Sequence, residues 1–365
     1  MSSAPPTNDV LQGEVQPLKE RSLVPAGMAT ILPEAARRFR TLESKLIDTL
    51  IGRGYDEIVL PTFEYLDVLA PGLAPELLEK CYKFPDRTTG RILLLRPDAT
   101  AQIARTVAMG MMGDQNPMRL SYRTTVFRHE PEHAGRDREI FQVGAELIGN
   151  DDAASDREIV STLIASLQRT GLRSFKVSLG HVGFFKRLLT RAGLSDEGKR
   201  RAEQAAARKD LPKLEEILFE EHVPKRAGTK ILDALELSGT AEIISQAHVL
   251  AGSDPLLNRA LDRLSQVYQS LCTDGYQDVL FLDLGEFRGF DYYDGIVFDV
   301  FAEGVGVELG GGGRYNNLIG RFGKNLASTG FALNVDRLFR GRSLSQQHSG
   351  RPARDASPKR KSTRR

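Results

Sequence analysis

Two carboxylates, Asp98 and Glu146, and the amide of Gln142 are the side chains best suited to hold an ammonium group. Arg128 and Arg288 could take a carboxylate or a phosphate, and Tyr292 and Tyr293 could flank a ring, with the Thr100 hydroxyl beside them. Taken singly, each is equally compatible with a structural hydrogen bond or ion pair. Taken together they suit a small zwitterion bearing an aromatic ring.

Two other motifs suggest different chemistry and fail on their own requirements. His129-Glu130-Pro131-Glu132-His133 matches the zinc-protease pattern HExxH, which needs both histidines one helical turn apart on a single face. Pro131 breaks the required helix, and the flanking residues alternate as strand and loop, so no metal site is expected. The glycine run at residues 310–313 suggests a phosphate cradle, but no Lys-Ser or Lys-Thr follows it. Gly304-Val305-Gly306-Val307-Glu308-Leu309 has leucine where the third glycine of a dinucleotide fingerprint belongs. The run would instead let the backbone pass close to a ligand or a neighbouring strand, interrupting the strand pattern around it.

The elements that must position these groups are legible in the spacing. Phe39, Leu42, Leu46 and Leu50 mark a helix begun near Pro33 and ended at Gly52-Arg53-Gly54, followed by a short strand over 55–60 closed by Pro61. Residues 93–97 form a buried-strand candidate, and Asp98 or Thr100 can cap a helix over 101–112. A strand over 119–129 puts Leu120, Tyr122, Thr124, Val126 and Arg128 on one side. After a charged loop at 130–138, its partner puts Phe141, Val143, Ala145 and Leu147 on one face and Gln142, Gly144 and Glu146 on the other. Helix over 156–168, strand over 175–179 and helix over 256–271 follow, then strands over 279–284, 296–301 and 305–309, and a strand running into a last helix over 330–338. Residues 188–252 are charged, helical in pattern and nearly free of β-branched runs, as in a small helical insertion. Hairpin-joined strands with helices between them predict an α+β fold on an antiparallel sheet.

Composition narrows the class. The chain has 365 residues, 41% of them hydrophobic, enough for a large core spanning 23–340. The opening residues lack a signal-like apolar run and no stretch reaches membrane-spanning length, so a cytoplasmic protein is expected. Cys81 and Cys272 lie far apart and predict neither a disulfide framework nor a thiol metal site. The net charge of +2 is uneven: residues 341–365 carry eight basic residues and one acid, and removing that +7 leaves the body at −5. That balance does not suit a nucleic-acid binder. The basic tail and residues 1–22 are too polar to fold alone.

RPDATA, FRHE…GRDREIFQVGAELIG, FRGFDYYDGIVFDVF, GGGGRYNNL and STGFALNVDRL, in that order over about residues 23–339, resemble the catalytic core of class II histidyl-tRNA synthetases. GMATILPEAARRFRTLESKLIDTLIGRGYDEIVLPTFEY resembles their first motif, which implies a dimer of this chain. The departures are specific. EPEHAGRDR lacks the usual arginine-proline step, the third motif reads Asn334-Val335-Asp336-Arg337 in place of a glycine and a glutamate before the arginine, and no anticodon-binding domain follows. A core of that kind is similar to the regulatory-subunit family of ATP phosphoribosyltransferase, paralogues of the synthetases.

The resemblance implies a class II synthetase-like fold and a non-catalytic protein without a cofactor of its own. Such a protein would activate a short-form catalytic subunit, which joins ATP to phosphoribosyl pyrophosphate, and would confer feedback inhibition by histidine. By the same resemblance Glu146 and Gln142 hold the ligand's α-amino group, and Asp98 and Thr100 line the pocket. Arg128 faces the carboxylate, while Arg288, Tyr292 and Tyr293 surround the imidazole. Arg128, Arg288 and Arg337 also match positions that serve adenylate chemistry, which leaves an active histidine-activating ligase as the alternative.

Overall fold

The computed structural model describes residues 24–113, 116–129, 138–286 and 292–341. α1 (Pro33–Gly52) begins with proline in its first turn, where the missing N–H breaks no helical bond, and buries Phe39, Leu42, Leu46 and Leu50 on one stripe. Only β1 (Asp56–Glu57) of the expected 55–60 strand is hydrogen-bonded as strand. β2 (Phe63–Tyr65), two short helices, α2 (Leu66–Leu69) and α3 (Pro75–Glu79), and then β3 (Lys83–Pro85) and β4 (Ile92–Leu95) follow, with a small sheet ordered β2-β4-β3. Asp98 caps α4 (Ala99–Ala108), accepting from the Ala101 N–H at 2.9 Å. That helix stops short of the expected Met112, and Gly110 (φ 72°) turns the chain away from it.

β5 (Met118–Phe127) and β6 (Glu139–Ile148) form the expected antiparallel hairpin, with Tyr122 opposite Gly144. α5 (Ala153–Thr170) is capped by Asp152 and ends at Gly171 (φ 85°). After β7 (Phe175–His181) and α6 (Val182–Arg191), residues 196–251 fold as α7 (Asp196–Ala207), α8 (Leu211–Glu220), α9 (Lys225–Glu236), β8 (Ser238–Gly239) and α10 (Glu242–Ala251). α11 (Pro255–Thr273), β9 (Leu280–Asp283), β10 (Ile296–Ala302), β11 (Gly310–Arg314) and β12 (Ser328–Asn334) complete the fold, and residues 335–341 are helical.

The main sheet has the order β1-β5-β6-β12-β11-β10-β7-β9-β8. From β5 to β7 every pairing is antiparallel, as expected of this α+β class, while β1·β5 and β7·β9 are parallel. The hairpin expectation fails at β9 because the long helical excursion after β7 returns the chain in the same direction. Two further corrections concern glycine. Residues 305–309 are not a strand, because Gly304 (φ 80°) and Gly306 (φ 71°) curl the chain there. The glycine run expected to interrupt the pattern is instead central strand β11. A Cβ at Gly312 would collide with the Gly330 carbonyl on β12, so only glycine lets the strands close there.

One sheet face packs the main core. Val143, Ala145 and Leu147 of β6, Phe331 and Leu333 of β12 and Phe298 of β10 meet buried residues of α1, α5 and α11. The opposite face is covered by α4 and a tyrosine cluster.

Candidate functional site

The second face of the sheet is unusually short of side chains. Register puts Glu146, Gly330, Gly313, Val297 and Gly180 in one row across β6, β12, β11, β10 and β7. The next row is Gly144, Ala332, Gly311, Asp299 and Ser178. Gly144, Gly330 and Gly313 each let a neighbouring group lie close on the sheet. Tyr122 crosses Gly144, the Glu146 carboxyl lies against Gly330, and Tyr293 Cδ1 would stand 3.0 Å from a Cβ at Gly313.

Glu146 sits at the end of that row, 1% exposed. It accepts hydrogen bonds from Thr100 Oγ1 (2.7 Å) and the Tyr315 hydroxyl (2.5 Å). Among the described residues no lysine or arginine pairs with it. Burial pushes its pKa up to about 8; the bonds from Tyr315 and Thr100 oppose that, and the Asp98 charge adds to it. Asp98 stands at the mouth of α4 with Oδ2 3.4 Å from the Tyr292 hydroxyl. Tyr315 packs edge to face against Tyr292 and Tyr293, while Tyr292 and Tyr293 are tilted against each other, the Tyr292 centroid lying 4.7 Å from Tyr293 and 5.8 Å from Tyr315. Burial holds the hydroxyls of Tyr122, Tyr292 and Tyr315 protonated far above the ordinary tyrosine range, so they remain donors.

The structure thus gathers Asp98, Thr100, Glu146, Tyr292 and Tyr293. Gln142 lies two side-chain positions along the same face of β6 and donates to Asn334 Oδ1 at 3.0 Å. Arg128 donates from Nε to the Pro97 carbonyl (2.8 Å), beside the start of α4. Arg288 lies outside the described residues, as do residues 130–137, which hold all of the HExxH motif except His129. Arg337 donates to the Glu308 carbonyl (2.9 Å) and carboxylate (2.5 Å).

Tyr122 and Tyr315 belong to the cluster and went unassigned in the sequence. The available signal was Gly144, whose place opposite Tyr122 follows once the hairpin register is known. No group of three or more histidine, cysteine or acidic side chains among the described residues could hold a metal. No helix among them is long and apolar enough to cross a membrane.

A buried carboxyl with no cation beside it among the described residues, a second carboxylate close by and a cluster of tyrosines are groups whose chemistry suits a cationic, ring-bearing small molecule. Such a ligand would supply the charge that Glu146 lacks.

Comparison with known proteins places this chain in a family. The histidyl-tRNA synthetase family model matches residues 27–338. The ATP phosphoribosyltransferase regulatory subunit of Geobacter metallireducens is 39% identical over 312 residues, 86% of this chain and 72% of that one. Its namesake from Desulforamulus reducens is 40% identical over 312 residues, 86% and 77% of the two chains. A crystal structure from Bacillus halodurans, described as an ATP phosphoribosyltransferase regulatory subunit/histidyl-tRNA synthetase, superposes with a TM-score of 0.80 at 30% identity. That match covers 89% of this chain and 84% of the other. The chain therefore belongs to the histidyl-tRNA synthetase-like family that includes the regulatory subunits of ATP phosphoribosyltransferase.

Proposed function

We propose that this chain is a regulatory subunit that binds a short-form catalytic subunit of ATP phosphoribosyltransferase, activates it, and confers inhibition by histidine. It carries out no catalytic step of its own. The observation that carries the ligand assignment is the buried Glu146 carboxyl, whose partners among the described residues are the hydroxyls of Thr100 and Tyr315, set among Asp98 and the tyrosines. Histidine offers an ammonium for Glu146 and an imidazole for the tyrosine walls. In this reading Asp98 and Thr100 line the pocket, Gln142 joins Glu146 at the ammonium, Arg128 faces the carboxylate, and Arg288 joins Tyr292 and Tyr293 around the imidazole. Histidine can signal only through its preference for one state of the complex over another, so the strength of feedback is bounded by that difference. Self-association through the α1–β1 region belongs to the same proposal.

Mixing the purified chain with a short-form catalytic subunit tests the reading. The expected result is a larger complex in size-exclusion chromatography and a higher turnover of ATP with phosphoribosyl pyrophosphate. Separate elution and unchanged turnover would refute it. Histidine-dependent exchange of pyrophosphate into ATP by the chain alone would favour the ligase alternative instead.

A further inference from the structure

Lys209 occupies a position where lysine is out of place. It follows the C-cap Arg208 of α7 with φ 54°, in the left-handed region that glycine or asparagine normally fills. Its N–H bonds the Ala206 carbonyl at 2.9 Å and the Asp210 N–H bonds the Ala205 carbonyl at 2.9 Å, the double closure of a Schellman motif. His222 (φ 56°) closes α8 with the same pair of bonds, so the conformation alone assigns no task, and what sets Lys209 apart is the reach of its side chain. Here Nζ reaches Asp283 at the end of β9, 3.0 Å from Oδ2 and 3.2 Å from Oδ1. The Asp283 side chain is 14% exposed, and burial raises its carboxyl above the usual range while Lys209 pulls it back.

Three further contacts fasten the same junction. Ser238 and Gly239 of β8 pair with Asp283 and Leu282, and the Leu284 N–H donates to the Leu237 carbonyl at 3.0 Å. Gly285 passes so close to α9 that a Cβ there would collide with the Leu235 carbonyl and stand 2.8 Å from Lys209 Nζ. On its other side, residues 283–286 lie on the glycine floor. A Cβ at Gly180 would stand 2.5 Å from the Asp283 carbonyl and 2.9 Å from Glu286 Cβ, and Ser178 Oγ donates to Glu286 Oε2 at 2.5 Å. Gly180 is in the row that runs through Val297 and Gly313, beneath Tyr293, to Glu146.

We propose that Lys209 is a positioning residue for the pocket: by clamping the helices of residues 196–251 onto residues 283–286, it lets those helices set the affinity for the ligand. The ligand part rests on the histidine reading above. Position is transmitted through the floor row, because residues 283–286 are seated on Gly180 and Tyr293 on Gly313, with only Val297 between them.

The test uses the full chain carrying Lys209→Gly, Lys209→Arg or Gly285→Ala. Lys209→Gly removes the ammonium and relieves the left-handed strain, so its unfolding midpoint should equal or exceed that of the parent. Even so, its histidine Kd by calorimetry should weaken about 2- to 30-fold, the range of couplings carried through packed networks. Lys209→Arg should restore affinity, and Gly285→Ala should weaken it. Amide exchange of Tyr293 and Asp294, measured without ligand, should rise in Lys209→Gly and Gly285→Ala. Unchanged exchange there, or parental histidine affinity in Lys209→Gly, would overturn the proposal. If the parent binds no histidine, the histidine reading falls and the exchange result alone decides whether the clamp exists.

Discussion

Glu146 makes a quantitative prediction about protons. With its pKa pushed up to about 8 by burial, the carboxyl is about nine-tenths protonated at pH 7, whereas an ammonium ligand needs the carboxylate. Binding should therefore release close to one proton per site at pH 7. The apparent Kd should tighten about fivefold between pH 7 and pH 8, as the ionised fraction rises from about one-tenth to one-half, a window in which the ligand's imidazole is largely neutral. Calorimetry in two buffers of different ionisation enthalpy reads the proton count directly, and a pH series reads the slope. Glu146→Gln keeps the shape and the acceptor oxygen but removes both the charge and the titration. Its binding should weaken by about 2–5 kcal/mol, the cost of truncating one partner of a buried charge pair, and should lose its proton release. Equal proton release in parent and Glu146→Gln would refute the reasoning, since the titrating group would then lie elsewhere.

Other consequences follow from the same geometry. The raised pKa means that the folded chain holds a proton that the unfolded chain has lost between about pH 4.5 and pH 8. Glu146 therefore contributes stability that is fully present below that window and declines as pH rises through it, by about 1.4 kcal/mol per pH unit. Urea titrations of the parent against Glu146→Gln should show that slope only in the parent. Gly330→Ala drives a methyl group into the Glu146 carboxyl and should cost about 1–3 kcal/mol in the same titrations, together with ligand binding. Asp98→Ala should lose about 1 kcal/mol of cap stability in thermal melts, whereas Asp98→Asn should keep the cap and weaken histidine binding.

How much of this was visible in the sequence depends on the range of each interaction. The β5–β6 hairpin could be read from alternation alone, which put Gln142, Gly144 and Glu146 on a common face, and the cap role of Asp98 is equally local. Strand β11 could not be read, because a glycine run has low strand propensity and shows no alternation. It is a strand only because β10 and β12 close on it from both sides. The β-branched residues Val305 and Val307 signal strand, yet the positive φ of Gly304 and Gly306 overrides them. Tyr122 and Tyr315 join the pocket through register, Tyr122 opposite Gly144 and Tyr315 just beyond β11, and register is a property of the assembled sheet. Lys209 likewise looks like one charge among many until Asp283, far along the chain, is brought to it.

If the pocket around Glu146 is the effector site, altering it must shift the inhibition of the partner enzyme. Histidine inhibition curves of the reconstituted complex, made once with the parent chain and once with Glu146→Ala, test it most directly. The variant complex should still turn over faster than the catalytic subunit alone but require much more histidine for half-inhibition. Superimposable curves would contradict it and place the effector site outside this pocket.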